Sequence, residues 1–282
     1  MGLFSIREIK NLLQKYQSEP EKRLGQHFLI NSGVARQVVE AAKIRENDVI
    51  LEIGPGIGNL TRELAQRAKK VIAVEKDTKM IRILKETLNG IKNIEVINQD
   101  IRKLKFQIPD KYKIVGNLPF YLTAPVIRQF LEPPEKSLLP VPELMALIVQ
   151  KEVAQRICSK PPHMSLLAIS VQFYAEPKII SYISKNSFWP SPKVDSAIIK
   201  LKTQSENRKV NIEQFFRIVK TGFSHPRKQL INNLSTGFCT SREAISQWLT
   251  VNNIKPAQRA ETLTLENWLN LTKSFKIKEN EI

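Results

Sequence analysis

The sequence predicts an α/β protein: a mostly parallel sheet with helices on both faces, followed by a small all-helical C-terminal domain. Two observations carry this prediction. Up to about residue 203, continuous apolar strands alternate with helical segments, as in parallel sheets that are covered on both faces. Beyond a polar stretch at 203–209, the chain shows helical periodicity and no strand pattern. A length of 282 residues is typical of one large domain or of two smaller ones.

These patterns divide the chain into four parts. Residues 1–24 are an N-terminal helix and basic lead-in, residues 25–203 the sheet domain, residues 210–275 the helical domain and residues 276–282 a frayed tail. The predicted strands are Val49–Ile53, Val71–Glu75, Ile94–Asn98, Tyr112–Gly116, Leu144–Gln150, Leu166–Tyr174 and Ser196–Lys202. The predicted helices before residue 203 are 5–16, 33–43, 59–68, 78–88, 122–131 and 152–158, with Ser5 and Ser32 as N-caps.

An excess of positive charge narrows the class of partner. The chain has 44 Lys and Arg against 27 Asp and Glu, a formal net charge of +17. A field of that sign favours a polyanion, either nucleic acid or an anionic membrane surface, although a solvated positive face would also carry it. The basic residues that we expect to bind phosphates are Lys22, Arg23, Arg217, Lys220, Arg227 and Lys228.

The cysteines, histidines and apolar runs exclude other classes. Cys158 and Cys239 are far apart and lack metal-ligand spacing, and the 3 histidines form no His-Glu-x-x-His pattern, so we expect neither a disulfide framework nor a metal site. No apolar run is long enough to cross a membrane, and no signal-peptide core is present. We therefore expect a cytoplasmic protein that has no membrane partner.

A glycine-rich turn follows the first predicted strand. Gly54, Gly56 and Gly58 lie between that strand and a helix, where glycines let the backbone turn tightly and approach a ligand. The dinucleotide pattern Gly-x-Gly-x-x-Gly requires glycine at position 59, where Asn59 stands. This spacing argues against an oxidoreductase that binds a dinucleotide.

Two acids strengthen the prediction of a ligand site. Glu75 ends the second predicted strand, where a carboxylate can bridge the hydroxyl groups of a ribose, and Asp100 follows the third strand. The alternatives are that Glu75 is a solvated strand end and that Asp100 caps a helix. With the glycine turn, the two acids resemble the S-adenosylmethionine site of Rossmann-like methyltransferases.

The segment Asn117-Leu-Pro-Phe120 follows the fourth predicted strand and indicates the reaction class. An adenine amine is a poor nucleophile, because its lone pair is delocalised into the ring. The side-chain oxygen of Asn117 and the carbonyl of Leu118 would accept its two hydrogens, with Pro119 stiffening the segment. Phe120 offers a ring on which an extruded base can stack. The alternative is a capped turn with a core phenylalanine.

Six segments occur in the order that is typical of one family. They are Gly25-Gln-His-Phe-Leu29, Glu52-Ile-Gly-Pro-Gly-Ile-Gly58, Asn117-Leu-Pro-Phe120, Phe188-Trp-Pro-Ser-Pro-Lys-Val-Asp-Ser196, Phe223-Ser-His-Pro-Arg-Lys-Gln-Leu230 and Arg259-Ala-Glu-Thr-Leu263. Over about residues 20–272, the chain resembles the KsgA/RsmA family of small-subunit rRNA adenine dimethyltransferases. The resemblance implies a Rossmann-like class I methyltransferase fold with a helical domain, and N6-dimethylation of two adjacent adenosines in the 3′-terminal hairpin of small-subunit (16S) rRNA during ribosome biogenesis.

The resemblance also implies roles for individual residues. The catalytic set is Asn117, Leu118, Pro119, Phe120 and Phe188, with Phe188 closing a base sandwich opposite Phe120. The set that binds S-adenosylmethionine is His27, Leu29, Gly54, Gly56, Glu75, Asp100 and Asn117. Two positions depart from the family: His27 stands where Asn is usual, which favours a backbone contact there, and Phe120 stands where Tyr is frequent.

Three other classes of nucleic-acid protein remain open. An Erm-type methyltransferase of large-subunit rRNA shares the catalytic domain, and only the helical domain and its motifs speak against it. A DNA adenine methyltransferase usually has Pro where Leu118 stands. A non-catalytic nucleic-acid-binding relative is disfavoured by the intact Glu75, Asp100 and Asn117. We expect a monomer whose partner is small-subunit rRNA, in an immature small ribosomal subunit.

Overall fold

A computed structural model describes residues 4–104, 107–132, 139–204 and 210–275. The chain divides into two compact units. The sheet unit comprises Met1–Ala154 and Ala175–Thr203, and the helical unit comprises Gln155–Tyr174 and Gln204–Ile282. The structure departs here from the predicted boundary, because part of the predicted domain 25–203 belongs to the helical unit. The predicted tail 276–282 lies outside the described residues.

A seven-stranded sheet forms the centre of the sheet unit. The strands in chain order are β1 (Phe28–Leu29), β2 (Val49–Ile53), β3 (Lys70–Glu75), β4 (Ile94–Asn98), β5 (Lys113–Asn117), β6 (Leu144–Gln150), β7 (Ala175–Ile183), β8 (Phe188–Trp189) and β9 (Ser196–Thr203). The sheet order is β4-β3-β2-β5-β6-β9-β7, and β1 and β8 form a separate antiparallel pair. Strands β2 to β6 are parallel to one another, whereas β9 is antiparallel to both β6 and β7.

The strand register brings the predicted functional segments to one edge of the sheet. Ile53 of β2 pairs with Val74 and with Gly116, and Asn117 of β5 pairs with Ile148. Since parallel strands end at the same edge, the residues that follow β2, β3, β4 and β5 meet there. This carboxyl edge of the sheet is the position at which open α/β sheets bind ligands.

Helices of the sheet unit cover the sheet and the glycine turn. They are α1 (Ile6–Lys15), α2 (Ser32–Ala41), α3 (Asn59–Ala65), α4 (Thr78–Thr87), α5 (Thr123–Leu131) and α6 (Lys151–Ile157), the last of which crosses into the helical unit. One buried cluster packs α2 and α3 against β2, β5 and β6. A second joins Ile9 and Leu13 of α1 to Phe28, Ile57 and Met80, so α1 packs behind the glycine turn.

The helical unit has a separate hydrophobic core. Its helices are α7 (Leu166–Tyr174), α8 (Ile212–Gly222), α9 (Leu230–Gly237), α10 (Arg242–Val251) and α11 (Leu265–Lys273). The apolar residues predicted at helical spacing, among them Phe215, Leu234 and Trp268, are buried in that core. Trp268 packs so closely against Gly222 that a Cβ on Gly222 would lie 2.4 Å from its ring. The predicted fold class is confirmed: residues 210–275 contain no strand, and the sheet is mostly parallel.

One predicted element is wrong, and one strand was not predicted. Leu166–Tyr174 was expected to be a strand, but it is helix α7, and the ring centroid of Phe173 lies 4.4 Å from that of Phe215 in the helical core. Periodicity alone does not separate a short apolar strand from a helix that is buried all round. Strand β7 was missed, because Pro177 and its alternating polar residues do not resemble a buried strand; both features are compatible with a strand at a sheet edge.

The predicted helix caps are correct only in part. Asn31, not Ser32, is the N-cap of α2, and its side chain accepts a hydrogen bond from the Val34 amide. Ser5 is the N-cap of α1 by position, but its side chain makes no capping hydrogen bond. In the described parts of the chain, no helix has both the length and the apolar character needed to cross a membrane.

Candidate active site

A pocket opens at the carboxyl edge of the sheet. Segment 24–29, the glycine turn after β2, the ends of β3 and β5, and residues 99–102 form its walls. Of the predicted cofactor residues, all seven line it: His27, Leu29, Gly54, Gly56, Glu75, Asp100 and Asn117. The fold therefore brings together residues that the sequence separates by up to 90 positions.

Left-handed backbone conformations build the glycine turn. Gly54 has φ +71° and Gly56 has φ +59°, which is a region that residues with a Cβ rarely adopt. The Gly54 amide donates to the Val74 carbonyl at 3.0 Å, so the turn is fixed to the end of β3. The Gly56 amide donates to Glu75 Oε2 at 3.2 Å. The turn thereby places its backbone and the Glu75 carboxyl side by side in the pocket wall.

Glu75 is buried and bonded to main-chain amides. Its Oε1 accepts from the Asp77 amide at 2.9 Å, and its Oε2 accepts from Gly56. Burial raises the pKa of Glu75, while these two hydrogen bonds oppose the rise. Ribose hydroxyls that donate to this carboxyl would further favour its charged form. The alternative interpretation, a solvated strand end, does not fit a side chain with this burial.

Asp100 combines the two interpretations that the sequence left open. It lines the pocket, and it also caps the 3₁₀ helix Ile101–Lys103 by accepting from the Arg102 amide at 3.0 Å. The Arg102 guanidinium donates to both carboxylate oxygens, at 3.0 and 2.7 Å, and Lys76 lies 3.2 Å away. These hydrogen bonds from Arg102 hold the pKa of Asp100 well below its usual range. Asp100 is therefore a charged acceptor at the pocket rim.

Glu52 is a pocket residue to which the sequence analysis gave no role. It is 1% exposed, and its Oε2 has no hydrogen-bond partner within the described residues. Burial raises the pKa of Glu52 to about 8, and the neighbouring charge of Glu75 acts in the same direction. A cofactor that brings a cationic donor, such as the ammonium of S-adenosylmethionine, would satisfy this oxygen. The available signal was its position, because Glu52 is the acid directly before the glycine turn in the segment Glu52–Gly58.

The pKa of Glu52 predicts a pH dependence of stability. Because the native state keeps a proton on Glu52 that the unfolded chain releases, the contribution of Glu52 to the free energy of unfolding should fall as pH rises from about 4.5 to about 8, by at most about 1.4 kcal/mol per pH unit. Urea denaturation across this range measures the slope. We expect Glu52→Gln to reduce it and Glu40→Gln, which changes an exposed carboxylate on α2, to leave it as in wild type. An unchanged slope in Glu52→Gln would contradict the assignment.

Asn117 is oriented by the backbone of His27. Its Nδ2 donates to the His27 carbonyl at 2.9 Å. An amide that donates through its nitrogen leaves its oxygen as the available acceptor, and no described residue donates to Asn117 Oδ1. The sequence predicts that this strand ends at Gly116, but β5 is Lys113–Asn117, so Asn117 is the last residue of the strand. The side chain is thus placed by the sheet rather than by a loop.

The His27 side chain joins two further segments. Its Nδ1 lies 2.6 Å from the Pro190 carbonyl, and since a carbonyl only accepts, Nδ1 carries the proton in this contact. Its ring stacks with that of Phe120, with centroids 6.0 Å apart and planes 28° apart. The prediction favoured a backbone contact for His27. The structure shows both its carbonyl and its imidazole in contact with predicted active-site segments.

The rest of the Asn-Leu-Pro-Phe segment has a mixed environment. Leu118 is buried, and its amide donates to the Ile148 carbonyl at 3.3 Å. Pro119 precedes the 3₁₀ helix Phe120–Leu122 and lies against Gly25, where an added Cβ would be 3.2 Å from the Pro119 Cβ. Gly25 has φ +64°, so its conformation and the close approach of Pro119 both favour glycine.

Phe188 lies in the core and not in the pocket lining. It is 3% exposed and pairs with Leu29 between β1 and β8. It belongs to the buried cluster that packs α2 and α3 against the sheet. The ring that faces Phe120 is that of His27. The predicted sandwich of Phe120 and Phe188 is therefore not formed in this structure, because strand pairing with β1 directs Phe188 into the core.

The predicted RNA-binding residues occur in both units. Lys22 and Arg23 belong to the 3₁₀ helix Lys22–Leu24 of the sheet unit. In the helical unit, Arg217 and Lys220 are exposed on α8, and Arg227 and Lys228 are exposed in the loop before α9. Arg217 also lies over the ring of Phe238, at 5.4 Å.

Asn233 holds the loop that carries Arg227 and Lys228, and no sequence pattern marks it. Its Nδ2 donates to the carbonyls of Gly222 and His225 at 2.6 and 3.1 Å, which fixes the beginning of the loop that carries Arg227 and Lys228.

Tyr121 is a further pocket residue that was not predicted. It follows Phe120 in the chain, is 47% exposed and lines the pocket. An aromatic residue next to the predicted stacking ring was the available signal.

The sheet order, the glycine turn and the acids at the ends of β3 and β4 together define a Rossmann-like methyltransferase. A family model described as ribosomal RNA adenine dimethylase matches residues 17–276. The chain belongs to that family. As a member, it is an rRNA adenine dimethyltransferase that takes its methyl groups from S-adenosylmethionine.

Similar proteins cover nearly the whole chain. A protein of Dehalococcoides mccartyi (strain CBDB1) named ribosomal RNA small subunit methyltransferase A is 41% identical, over 94% of this chain and 91% of its own length. A protein of the same name from Alkaliphilus metalliredigens is 40% identical, over 98% and 99%. Among solved structures, the 23S rRNA methyltransferase ErmE has a TM-score of 0.73 at 27% identity, with 87% of this chain and 98% of its own covered. A dimethyladenosine transferase from Plasmodium falciparum has a TM-score of 0.72 at 28% identity, with 87% and 96% covered.

Proposed function

We propose that this enzyme dimethylates N6 of two adjacent adenosines in the 3′-terminal hairpin of small-subunit (16S) rRNA, during ribosome biogenesis. The observation that carries the proposal is the orientation of Asn117, whose Nδ2 is bonded to the His27 carbonyl, so that its Oδ1 is available to a substrate amine. The choice of the small subunit rests on relatives of about 40% identity that carry that name. The ErmE structure, at 27% identity, supports the large-subunit alternative less strongly.

The residues of the pocket fit S-adenosylmethionine. Bound there, the cofactor supplies an electrophilic methyl group on a sulfonium sulfur. Glu75 would accept from its ribose hydroxyls, Asp100 from its adenine, and the buried Glu52 oxygen from its ammonium group. The backbone of the glycine turn and of segment 27–29 would line the remaining surface. Each of these contacts is a proposal that rests on the geometry described above.

Positioning of the target amine supplies the rest of the chemistry. Asn117 Oδ1 and the Leu118 carbonyl accept the two amine hydrogens, which favours a tetrahedral nitrogen with an available lone pair. Phe120 stacks on the base, and Phe188 takes the opposite face only if the rings of segments 27–29 and 188–190 rearrange. Since methyl transfer requires alignment more than a strong base, precise placement accounts for much of the rate.

Methylation of rRNA tests this function directly. Labelled S-adenosylmethionine is incubated with immature small subunits and, separately, with large subunits, and the modified nucleotides are mapped. We expect label at two adjacent adenosines near the 3′ end of small-subunit rRNA. Label confined to large-subunit rRNA would support the Erm-type alternative, and no label in either subunit would support a non-catalytic binding protein.

The basic residues of the helical unit are proposed to bind rRNA phosphates. Arg227→Gln combined with Lys228→Gln should weaken rRNA binding and make the slope of log affinity against log salt shallower by about 2, since each lost phosphate contact removes about 1. Lys273→Gln on α11 is the control, because this exposed lysine lies outside the predicted set. Fluorescence anisotropy measures both quantities. Equal slopes in the double variant and wild type would show that Arg227 and Lys228 do not contact rRNA phosphates.

We also propose a cytoplasmic monomer. The cytoplasmic location is supported by the two cysteines, Cys158 and Cys239, which are not joined in a disulfide, and by relatives whose name refers to ribosomal RNA. Size-exclusion chromatography with light scattering tests the oligomeric state, and a mass near 32.3 kDa is expected.

A further inference from the structure

An exposed aromatic side chain lies near the catalytic edge of the sheet, outside the pocket. Tyr182, near the end of β7, is 54% exposed, and the Lys151 amine lies 5.2 Å from the centre of its ring. Ile180 and Val194, at 38% and 40%, are exposed in the neighbouring segments. Aromatic side chains exposed together with lysines are typical of surfaces that bind single-stranded nucleic acid.

Strand directions place this ring on the same side of the molecule as the active site. Since β7 is antiparallel to β9, and β9 to β6, strand β7 runs in the direction of β6 and β5. Tyr182 at the end of β7 and Asn117 at the end of β5 therefore approach the same edge. They are three strand spacings apart, or about 14 Å. Through Phe188–Trp189, the chain continues directly from β7 to Pro190, which contacts His27.

The charge of the surroundings favours an anionic occupant. Lys151, Lys185 and Lys193 are exposed, and none of them forms an ion pair among the residues that the structure describes. Two carboxylates in the same segments, Glu152 and Asp195, carry the opposite charge, and both are exposed. Asp195 shapes the turn: its carboxylate accepts from the Lys185 amide and its carbonyl from the Lys151 amide, each at 3.0 Å.

We propose that Tyr182 and Lys151 form a second contact for the rRNA substrate, in which a base flanking the target adenosines stacks on Tyr182 and a phosphate binds Lys151. The proposal rests on the function proposed above. It assigns to the sheet unit an RNA contact outside the basic residues found from the sequence. A strand that crosses the carboxyl edge from Asn117 toward β7 would connect the two contacts.

Tyr182 variants separate stacking from other roles. Tyr182→Ala should weaken binding of an rRNA fragment with the 3′-terminal hairpin by at least about fivefold, whereas Tyr182→Phe keeps the ring and should stay within about twofold of wild type. The apparent KM for rRNA should rise in Tyr182→Ala, with unchanged kcat at saturating rRNA and unchanged cofactor affinity. Wild-type binding by Tyr182→Ala, or an equal loss in Tyr182→Phe, would overturn the stacking role.

Lysine variants test the phosphate contact and the alternative occupant. Lys151→Gln should make the salt slope shallower by about 1, and Lys92→Gln, an exposed lysine beside β4, should leave it unchanged. If wild type forms a dimer that Tyr182→Ala dissociates while rRNA affinity stays constant, the surface binds a second copy and the proposal is wrong. If wild type fails to methylate rRNA, the proposed function fails; if it methylates and all the surface variants match it, only this inference fails.

Discussion

Replacing Asn117 by alanine should lower the rate of methyl transfer by about 10²–10³ while rRNA affinity changes little. The expected loss follows from the geometry of the amide. Its nitrogen is bonded to the His27 carbonyl at 2.9 Å, so the oxygen is held as an acceptor where a substrate amine would donate. Loss of one acceptor that acts mainly in the transition state costs about 2.7–4 kcal/mol in comparable oxyanion sites. Single-turnover kinetics at saturating rRNA and cofactor measure this rate.

A matched amide provides the control for Asn117. Asn93 donates from Nδ2 to the carbonyls of Ala65 and Ala68 and does not line the pocket. Asn93→Ala therefore removes amide–carbonyl hydrogen bonds of the same kind, and we expect lower stability with a normal rate of methyl transfer in the folded protein. A rate for Asn117→Ala within about threefold of wild type would remove the amide from the chemical step, since a lost acceptor costs far more.

Replacing Phe120 by alanine should change the product as well as the rate. Loss of base stacking costs about 1–3 kcal/mol, so we expect weaker productive binding of the target adenosine. After one methyl transfer the amine has a single hydrogen left, and Asn117 and Leu118 can no longer both accept one. Positioning for the second transfer then depends more on the aromatic ring. Phe120→Ala should accumulate monomethyladenosine at the expense of dimethyladenosine.

Mass spectrometry of the modified rRNA measures the ratio of the two products. Phe120→Tyr is the control, because its ring preserves the stacking surface and it should retain most of the activity and the wild-type ratio. A normal ratio together with normal activity in Phe120→Ala is the outcome that would exclude the stacking role. Because the Phe120 ring also stacks with His27, cofactor affinity of the variant should be measured in the same preparation.

Much of the sheet was predictable because its strands are short apolar runs that end in turns. The predicted bounds of β2, β4 and β6 agree with the structure, and the acids that follow strands do lie at one edge. The apolar run Leu166–Tyr174 was ambiguous, since a buried helix and a buried strand have the same composition. Strand β7 was not predicted, because one of its faces is solvated and Pro177 interrupts the apolar run that is typical of a buried strand.

The gathering of the cofactor residues in one pocket was predictable, but their environments were not. Burial of Glu52 and Glu75 raises both pKa values, and it depends on how the tertiary fold packs around them, including Thr61 of α3 beside Glu52 and the glycine turn beside Glu75. The contact of the His27 ring with Phe120 and Pro190 joins residues that no local pattern links. Phe188 shows the same limit, since its place in the core follows from pairing with Leu29.

The edge strand β7 also bears on how the protein avoids self-association. A sheet edge presents unpaired backbone groups that can template β-pairing with another chain, and aggregation then follows. In β7, Pro177 lacks an N–H group, Lys178 adds a charged side chain, and the register against β9 shifts between Ile179 and Ser181. Each of these features discourages an incoming strand. The sheet thus ends in a strand whose outer side is suited to remain unpaired when copies of the protein meet in solution.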